Sequence, residues 1–307
     1  MWFKNLYFFA FTRQFNHSQE DLEKHLLENT FTPCGSTELS HFGWVDALGK
    51  HGSSLSHNAN NNILLCARKE EKILPAGVIK DQLDEKIAHL ETENSRSATK
   101  KEKEQLKEDI IFELLPRAFS RFTDTHGYIS PDHNIIVVNA SSRGKAEDFL
   151  ALLRKSLGSL PVTSFSPETA VDETMTDWLT DKDFVGNFQL GMEAEFNALG
   201  DDGAVIRVKN QDLGSEEIKA HLDADKYMVK VALEWDECLS FILCDDLAIK
   251  RVKFFDVIYE QNDDIDSDDV VAKLDADFAL MAGELNRFIS DLLAEFSLTT
   301  DSYLEND

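Results

Sequence analysis

The sequence predicts an α+β protein, with mixed and antiparallel sheets covered by packed helices. Three observations carry this. Elements on both sides of a helical stretch at 76–123 follow the orders β-α-β and β-β-α-β. Past Pro167 a new run of strand signals opens and becomes a three-strand meander. The last periodic segment is a long helix with an apolar stripe. The strand signals are period-two alternation or short apolar runs between turn residues; the helix signals are apolar residues recurring every three or four positions.

Taken in order, WFKNLYFFAF starts as a strand. Its apolar residues are largely aromatic, with neither a basic leader nor a small-residue cleavage site, so a strand is favoured over a signal peptide. SQEDLEKHLLEN follows as a helix, with Ser18 as N-cap and Asp21 at the third helical position, where Glu is usual. TPCGS is turn chemistry, and HNANNN leads into ILLCARKEEKIL, a strand buried at its start. From Pro75 the period changes: Val78, Ile79, Leu83, Ile87 and Leu90 mark an amphipathic helix. The polar stretch 93–105 is either a helical hairpin tip or a mobile loop, and a second helix runs from it towards Leu115.

Sheet resumes with HGYISPDHNIIVVNAS, turning at SPDHN. KAEDFLALLRKSLG is a helix closed by Gly158, and LPVTSF is a strand. Then come the helix VDETMTDWL, a GDDG turn, the strand GAVIRVKNQDL and the capped helix SEEIKAHLDAD. MVKVALEW, LSFILCDD and AIKRVKFF form the meander, and DVVAKLDADFALMAGELNRFISDLLAEF is the final helix. The expected organisation is an α+β domain at 1–75 and 124–166, a helical tip inserted at 76–123, and an acidic α+β domain at 167–307.

At 307 residues and 42% hydrophobic, the chain can bury a sizeable core. No apolar run approaches the roughly 20 residues that span a bilayer. The four cysteines, Cys34, Cys66, Cys238 and Cys244, include no CxxC pair, which fits small buried hydrophobes in a reducing cytoplasm. Asp264, Asp266 and Asp268 alternate as calcium ligands can, but the Gly and Glu that an EF-hand loop requires are replaced by Asp269 and Asp275. Those acids are expected to cap the helix that follows. The histidines lack HxxxH and HExxH spacing, and neither GxxxxGK[ST] nor GxGxxG is present. No catalytic residue, metal ligand or cofactor is assigned.

The net charge of −26 is unevenly spread: −2 over 1–63, zero over 64–155, −11 over 156–255 and −13 over 256–307. The neutral segment holds half of all the cations, so a polyanion partner would have to meet a restricted surface. Arg68, Lys69 and Lys72 leave the strand at 63–74, and Arg117 and Arg121 alternate with Phe119 and Phe122 in LLPRAFSRF. Alternation puts Arg207, Lys209 and Gln211 on one strand face, and Arg251 with Lys253 on a face that Lys250 does not share. Taken singly, each cluster is most simply a solvated surface. By itself, LLPRAFSRF is a turn begun by Pro116, with phenylalanines packed inward and arginines in water.

CARKEEKILP, LLPRAFSRF, KAEDFLALLRKSLGSLPV, VIRVKNQDLGSEEI, FDVIYEQNDDID and DADFALMAGEL together resemble the RdgC family, and the similarity runs from WFKNL to GEL near residue 285. The resemblance implies a non-enzymatic protein of the cytoplasm and nucleoid that binds double-stranded DNA with little sequence preference, and single strands more weakly. It implies an elongated, horseshoe-like subunit with a helical tip, paired through its acidic domain into a homodimeric ring around the duplex, and restraining RecA-dependent strand exchange. Arg68, Lys69, Lys72, Arg117, Arg121, Lys209 and Gln211 are then the expected DNA contacts, and Phe119 a ring-closing contact. The family pattern KKQD is KNQD here, so Asn210 stands in place of a cation. The competing expectation is an acidic protein–protein adaptor that does not touch DNA.

Overall fold

A computed structural model describes residues 2–180, 183–198, 203–265 and 269–305. The chain divides into two compact units: Met1–Glu28, Asp46–Cys66 and Thr125–Asp307 form unit 1, and Asn29–Val45 with Ala67–Asp124 form unit 2. The class is mixed α+β, with an antiparallel sheet and eight α-helices among the described residues.

In unit 1, β1 (Leu6–Phe11) is buried at every position. It pairs antiparallel with β6 (Ile135–Asn139), which pairs in turn with the end of β5 (Phe119–Ser130). On its other side β1 meets the meander β12 (Ile249–Phe254), β11 (Leu239–Cys244) and β10 (Lys226–Trp235). Then come β8 (Phe188–Ala198) and β9 (Val205–Lys209). β3 (Ser56–Ala59) pairs with the start of β4 (Asn62–Ile73), and β7 (Val162–Ser164) with β1.

The helices of unit 1 are α1 (Gln19–Leu27), α4 (Arg143–Leu157), α5 (Val171–Asp177), α6 (Glu216–Leu222), α7 (Asp256–Tyr259) and α8 (Val270–Glu295). Ser18 caps α1 by accepting from the Asp21 amide, and Gly158 ends α4 at φ 77°, a backbone region that suits glycine. α8 buries Phe278, Met281, Ala282, Leu285, Phe288, Ile289, Leu292 and Leu293, the three-and-four spacing of one helix face. That stripe joins Val231, Leu233, Trp235, Phe241, Leu243 and Phe254 from the meander in one core. Each fully buried Leu or Phe contributes about 1.5–3 kcal/mol before chain entropy is counted. The meander keeps its opposite face for polar chemistry.

In unit 2, β2 (Ser40–Val45) lies beside β4, and β4 beside β5. The stretch 93–105 is a hairpin tip: α2 (Ala76–Asn94) ends on Ser95 at φ 52°, and α3 (Lys100–Leu114) begins on a Thr99–Glu102 capping box. A 3-10 turn at Leu115–Arg117 leads into β5. The inward packing expected of LLPRAFSRF does not occur: Phe119 and Phe122 are 84% and 55% exposed.

Asp266, Asp268 and most of the GDDG turn lie outside the described residues, while Asp269 caps α8 by accepting from the Ala272 amide.

Candidate nucleic-acid interface

The outer face of the meander in unit 1 concentrates charge. On β9, Ile206 and Val208 pack against the core, which turns Arg207 and Lys209 outward. On β8, Ala194 and Phe196 are buried, which turns Glu193 and Glu195 to the same side. Register then sets the pairs: Glu193 faces Lys209, and Glu195 faces Arg207 across β8–β9 and Lys230 across β8–β10. Arg207 Nε donates to Glu195 Oε2 at 2.6 Å, and Lys230 Nζ to Glu195 Oε1 at 2.8 Å. A second group forms beside this row. Arg251 Nη2 donates to Glu193 Oε1 at 2.6 Å, and Lys209 Nζ stands 3.6 Å from the same oxygen.

Both carboxylates titrate below the ordinary range. For Glu193 the Arg251 hydrogen bond is the largest cause. For Glu195 burial pushes upward, but the Lys230 and Arg207 hydrogen bonds outweigh it. They are carboxylates at neutral pH, already committed to cations.

Two adjoining concavities lie over this face, of about 540 Å³ and 280 Å³. Together their walls carry Arg207, Lys209, Lys230, Arg251 and Lys253 against Glu193, Glu195 and Glu234. Five cations against three carboxylates make a locally positive groove on a chain of net charge −26. Such a surface can hold a phosphodiester by charge-assisted hydrogen bonds.

Of the eight contacts expected from the family resemblance, Lys209 lies in this groove, beside Arg207, Arg251 and Lys253, and Gln211 does not share its strand. β9 ends at Lys209, and Asn210 takes φ 53°, so the alternation expected to continue to Gln211 is broken. The Gln211 side-chain Nε2 instead donates to Ser215 Oγ at 3.3 Å and Glu217 Oε2 at 2.8 Å, at the start of α6.

The other six belong to unit 2. Strand alternation separates them. Arg68 and Lys72 share a face of β4 with Glu70. There Arg68 holds Asp124 in a two-pronged pair at 2.7 Å, and Lys72 bonds Ser120 Oγ at 3.1 Å. Glu70 is buried and accepts from the Cys34 amide at 2.7 Å and from Ser120. Lys69 and Arg121 lie on the opposite face with Phe119, both bonded to Glu71, at 3.2 Å and 2.8 Å. Arg117 is exposed in the 3-10 turn.

Lys230, and the placing of Arg251, were missed by sequence. Lys230 interrupts MVKVALEW at an outward position, which is the signal that could have found it. Among the described residues, no group of three or more His, Cys, Asp or Glu side chains is placed to hold a metal ion. No described helix is long and apolar enough to cross a membrane.

Residues 1–299 match the family model described as "RdgC: Putative exonuclease, RdgC". The chain is 76% identical over all 307 residues to the full length of a Colwellia psychrerythraea protein named "Recombination-associated protein RdgC". Proteins of the same name from Tolumonas auensis and Aeromonas hydrophila are 53% and 52% identical over 294 residues, covering 96% of this chain and 97% of theirs.

Proposed function

The chain belongs to the RdgC family, and from that premise we propose that it acts in recombination by binding double-stranded DNA without sequence preference. The observation that carries this reading is the positive groove of Arg207, Lys209, Lys230, Arg251 and Lys253 on an otherwise acidic chain. Arg and Lys contact phosphates whatever the bases are, so they supply affinity and register without sequence discrimination. The cations Arg68, Lys69, Lys72, Arg117 and Arg121 are proposed as further phosphate contacts in the complex. Gln211 is proposed as a further DNA contact, made when its side-chain amide exchanges Ser215 and Glu217 for the duplex.

The proposal extends to assembly. Two copies close into a ring around the duplex, with Phe119 at one closing contact. A threaded ring occupies the homologous duplex that a RecA filament must reach, which restrains strand exchange and places the protein on the nucleoid. Single strands bind more weakly, because they present fewer phosphates to the groove. Binding is proposed to proceed without hydrolysis, leaving both strands intact.

A gel-shift titration from about 50 to 200 mM salt tests this, using two unrelated duplexes labelled at both ends and supplied with magnesium. The expected result is a linear fall of log K with log salt, the same for both sequences, with the labelled strands intact. A flat salt response overturns the phosphate mechanism. Stepwise shortening of the strands replaces binding with exonuclease action. Absence of duplex binding at low salt favours the adaptor.

A further inference from the structure

The groove's own carboxylates compete for the cations that a phosphate would use. In the free protein Arg207 and Lys230 converge on Glu195, and Arg251 and Lys209 on Glu193. These are four cations and two anions on one sheet face; register sets three of the pairs, and Arg251 reaches Glu193 across β11 and β10. Glu195 is the more enclosed of the two, with a side chain only 15% exposed, while its partner Arg207 is 68% exposed. The cations therefore present a solvent-facing side while their inner side is already neutralised. A carboxylate here does what a DNA phosphate would do, one layer deeper.

We propose that Glu193 and Glu195 are built-in counter-anions that hold the groove's affinity for polyanions below what its cations could reach. This rests on the groove being the phosphate-binding surface and adds a function for its acidic residues. An approaching phosphate must share each cation with a carboxylate fixed in the strand, and it meets the negative charge of that carboxylate as well. The benefit of such attenuation is mobility: a protein that binds every sequence must release and move along DNA. Removing a carboxylate frees its two cations and raises the number of phosphates the face can neutralise.

The test compares wild type with Glu195→Gln, Glu193→Gln and the double variant, by gel shift on duplex DNA across a salt series. Glu216→Gln, an exposed carboxylate on α6 paired only with Lys219 among the described residues, controls for the change in net charge. Gln keeps the size and one hydrogen-bonding oxygen, and a thermal melt checks that each variant folds. Each groove substitution is expected to tighten binding about three- to five-fold at low salt, with Glu216→Gln near wild type. The double variant is expected to steepen the slope of log K against log salt by up to about 1.8.

If wild type binds duplex but the groove variants bind no tighter and no more steeply, the counter-anion role is wrong and the DNA-binding reading stands. If wild type does not bind and the double variant does, masking is upheld and the DNA-binding reading of the native chain fails. If neither binds, both fall. Should Glu195→Gln fail to fold, the more exposed Glu193→Gln decides by the same criteria.

Discussion

Arg251 on β12 meets Glu193 on β8 at 2.6 Å, although β11 and β10 lie between their strands in the sheet. Small residues and bulges bring the two together. A Cβ on Gly191 would stand 2.9 Å from that of Ala232, so β8 and β10 approach here as only glycine permits. The β8–β10 pairing carries two register shifts, and the β11–β12 pairing slips between Ser240 and Ile242. Arg251 lies opposite that slip at φ 52°. Bulges bend a strand and re-aim its side chains, and here the re-aimed side chain is a groove cation.

Arg251 thus occupies a left-handed backbone that glycine adopts more readily. Arg251→Ala and Arg251→Gly both remove the cation, so both should weaken duplex binding and lower the salt slope by about 0.9. Their stabilities should differ. Glycine relieves the positive φ and alanine does not, so the glycine variant should be the more stable by about 1 kcal/mol in urea unfolding. Equal midpoints would show that the backbone carries no strain at this position.

A second prediction concerns the core. Asn286, on the buried face of α8, accepts from Tyr128 Oη at 2.9 Å and donates to Asn62 Oδ1 and Ser130 Oγ, both at 3.0 Å. Every polar atom of its side chain is matched, which is what makes a buried amide tolerable. Asn286→Leu would strand Tyr128 Oη and Asn62 Oδ1, while Ser130 Oγ keeps His133, and should cost about 2–4 kcal/mol in urea unfolding. Pairing it with Tyr128→Phe, Asn62→Ala and Ser130→Ala should recover part of the loss. Full additivity would argue against a network.

Much of the framework was legible because it depends on local signals. Ser18, Gly158 and the apolar stripe of α8 each act within one or two turns of their own helix, and each is found where the spacing predicts. The groove was not legible in the same way. That Lys230 faces Glu195 depends on the register of β8 against β10, two strands separated by β9 and α6 in the chain. A single bulge flips every later side chain, and no local signal announces the ones at Arg251 and between β8 and β10. ARKEEK shows the opposite failing: its alternation was readable, and implies that Lys69 and Lys72 leave on different faces.

The third prediction follows from Glu193 and Glu195 titrating below their ordinary value of 4.5 in the folded chain. A depressed folded pKa adds stability above the unfolded value, and that contribution is lost as pH falls through the folded value. Wild type should therefore lose stability relative to the double Gln variant as pH falls below about 5. At pH 7 the two should differ by about 1 kcal/mol or less per carboxylate, because the cation partners are largely solvated. Urea midpoints for both proteins from pH 3 to 7 provide the measurement. A constant difference across that range would mean that the ion pairs contribute nothing to folding.

The hairpin of unit 2 offers a local test. Among its described residues only Ile110 is buried, so capping carries an unusual share of its order. Thr99 accepts from the Glu102 amide, and Glu102 accepts from the Thr99 amide at 2.8 Å and from Arg96 at 2.6 Å. Thr99→Ala should cost about 1 kcal/mol, appearing as faster hydrogen exchange in the first turns of α3. Amides of β1 and β6 in unit 1 should be unaffected. Faster exchange in both places, with a lower melting point for the whole chain, would mean that the hairpin unfolds together with the core.

Phe119 separates the assembly proposal from the groove. It opens β5 on the same face as Arg121, and neighbouring Ile73 at the end of β4 is also exposed, at 48%. A single exposed aromatic is ordinary, so exposure by itself assigns no contact. The assignment is tested by what Phe119→Ala changes. Truncating so exposed a ring should alter the melting temperature of the isolated subunit by no more than the equivalent of about 0.5 kcal/mol. A ring-closing role instead predicts weaker self-association by sedimentation at low concentration. It also predicts faster loss from closed-circular duplex, which a closed ring cannot leave by sliding off an end. Binding to short linear duplex should retain its salt slope, since the cations of the groove are untouched. Retention on closed circles equal to wild type would remove Phe119 from the closing contact while leaving the phosphate mechanism in place.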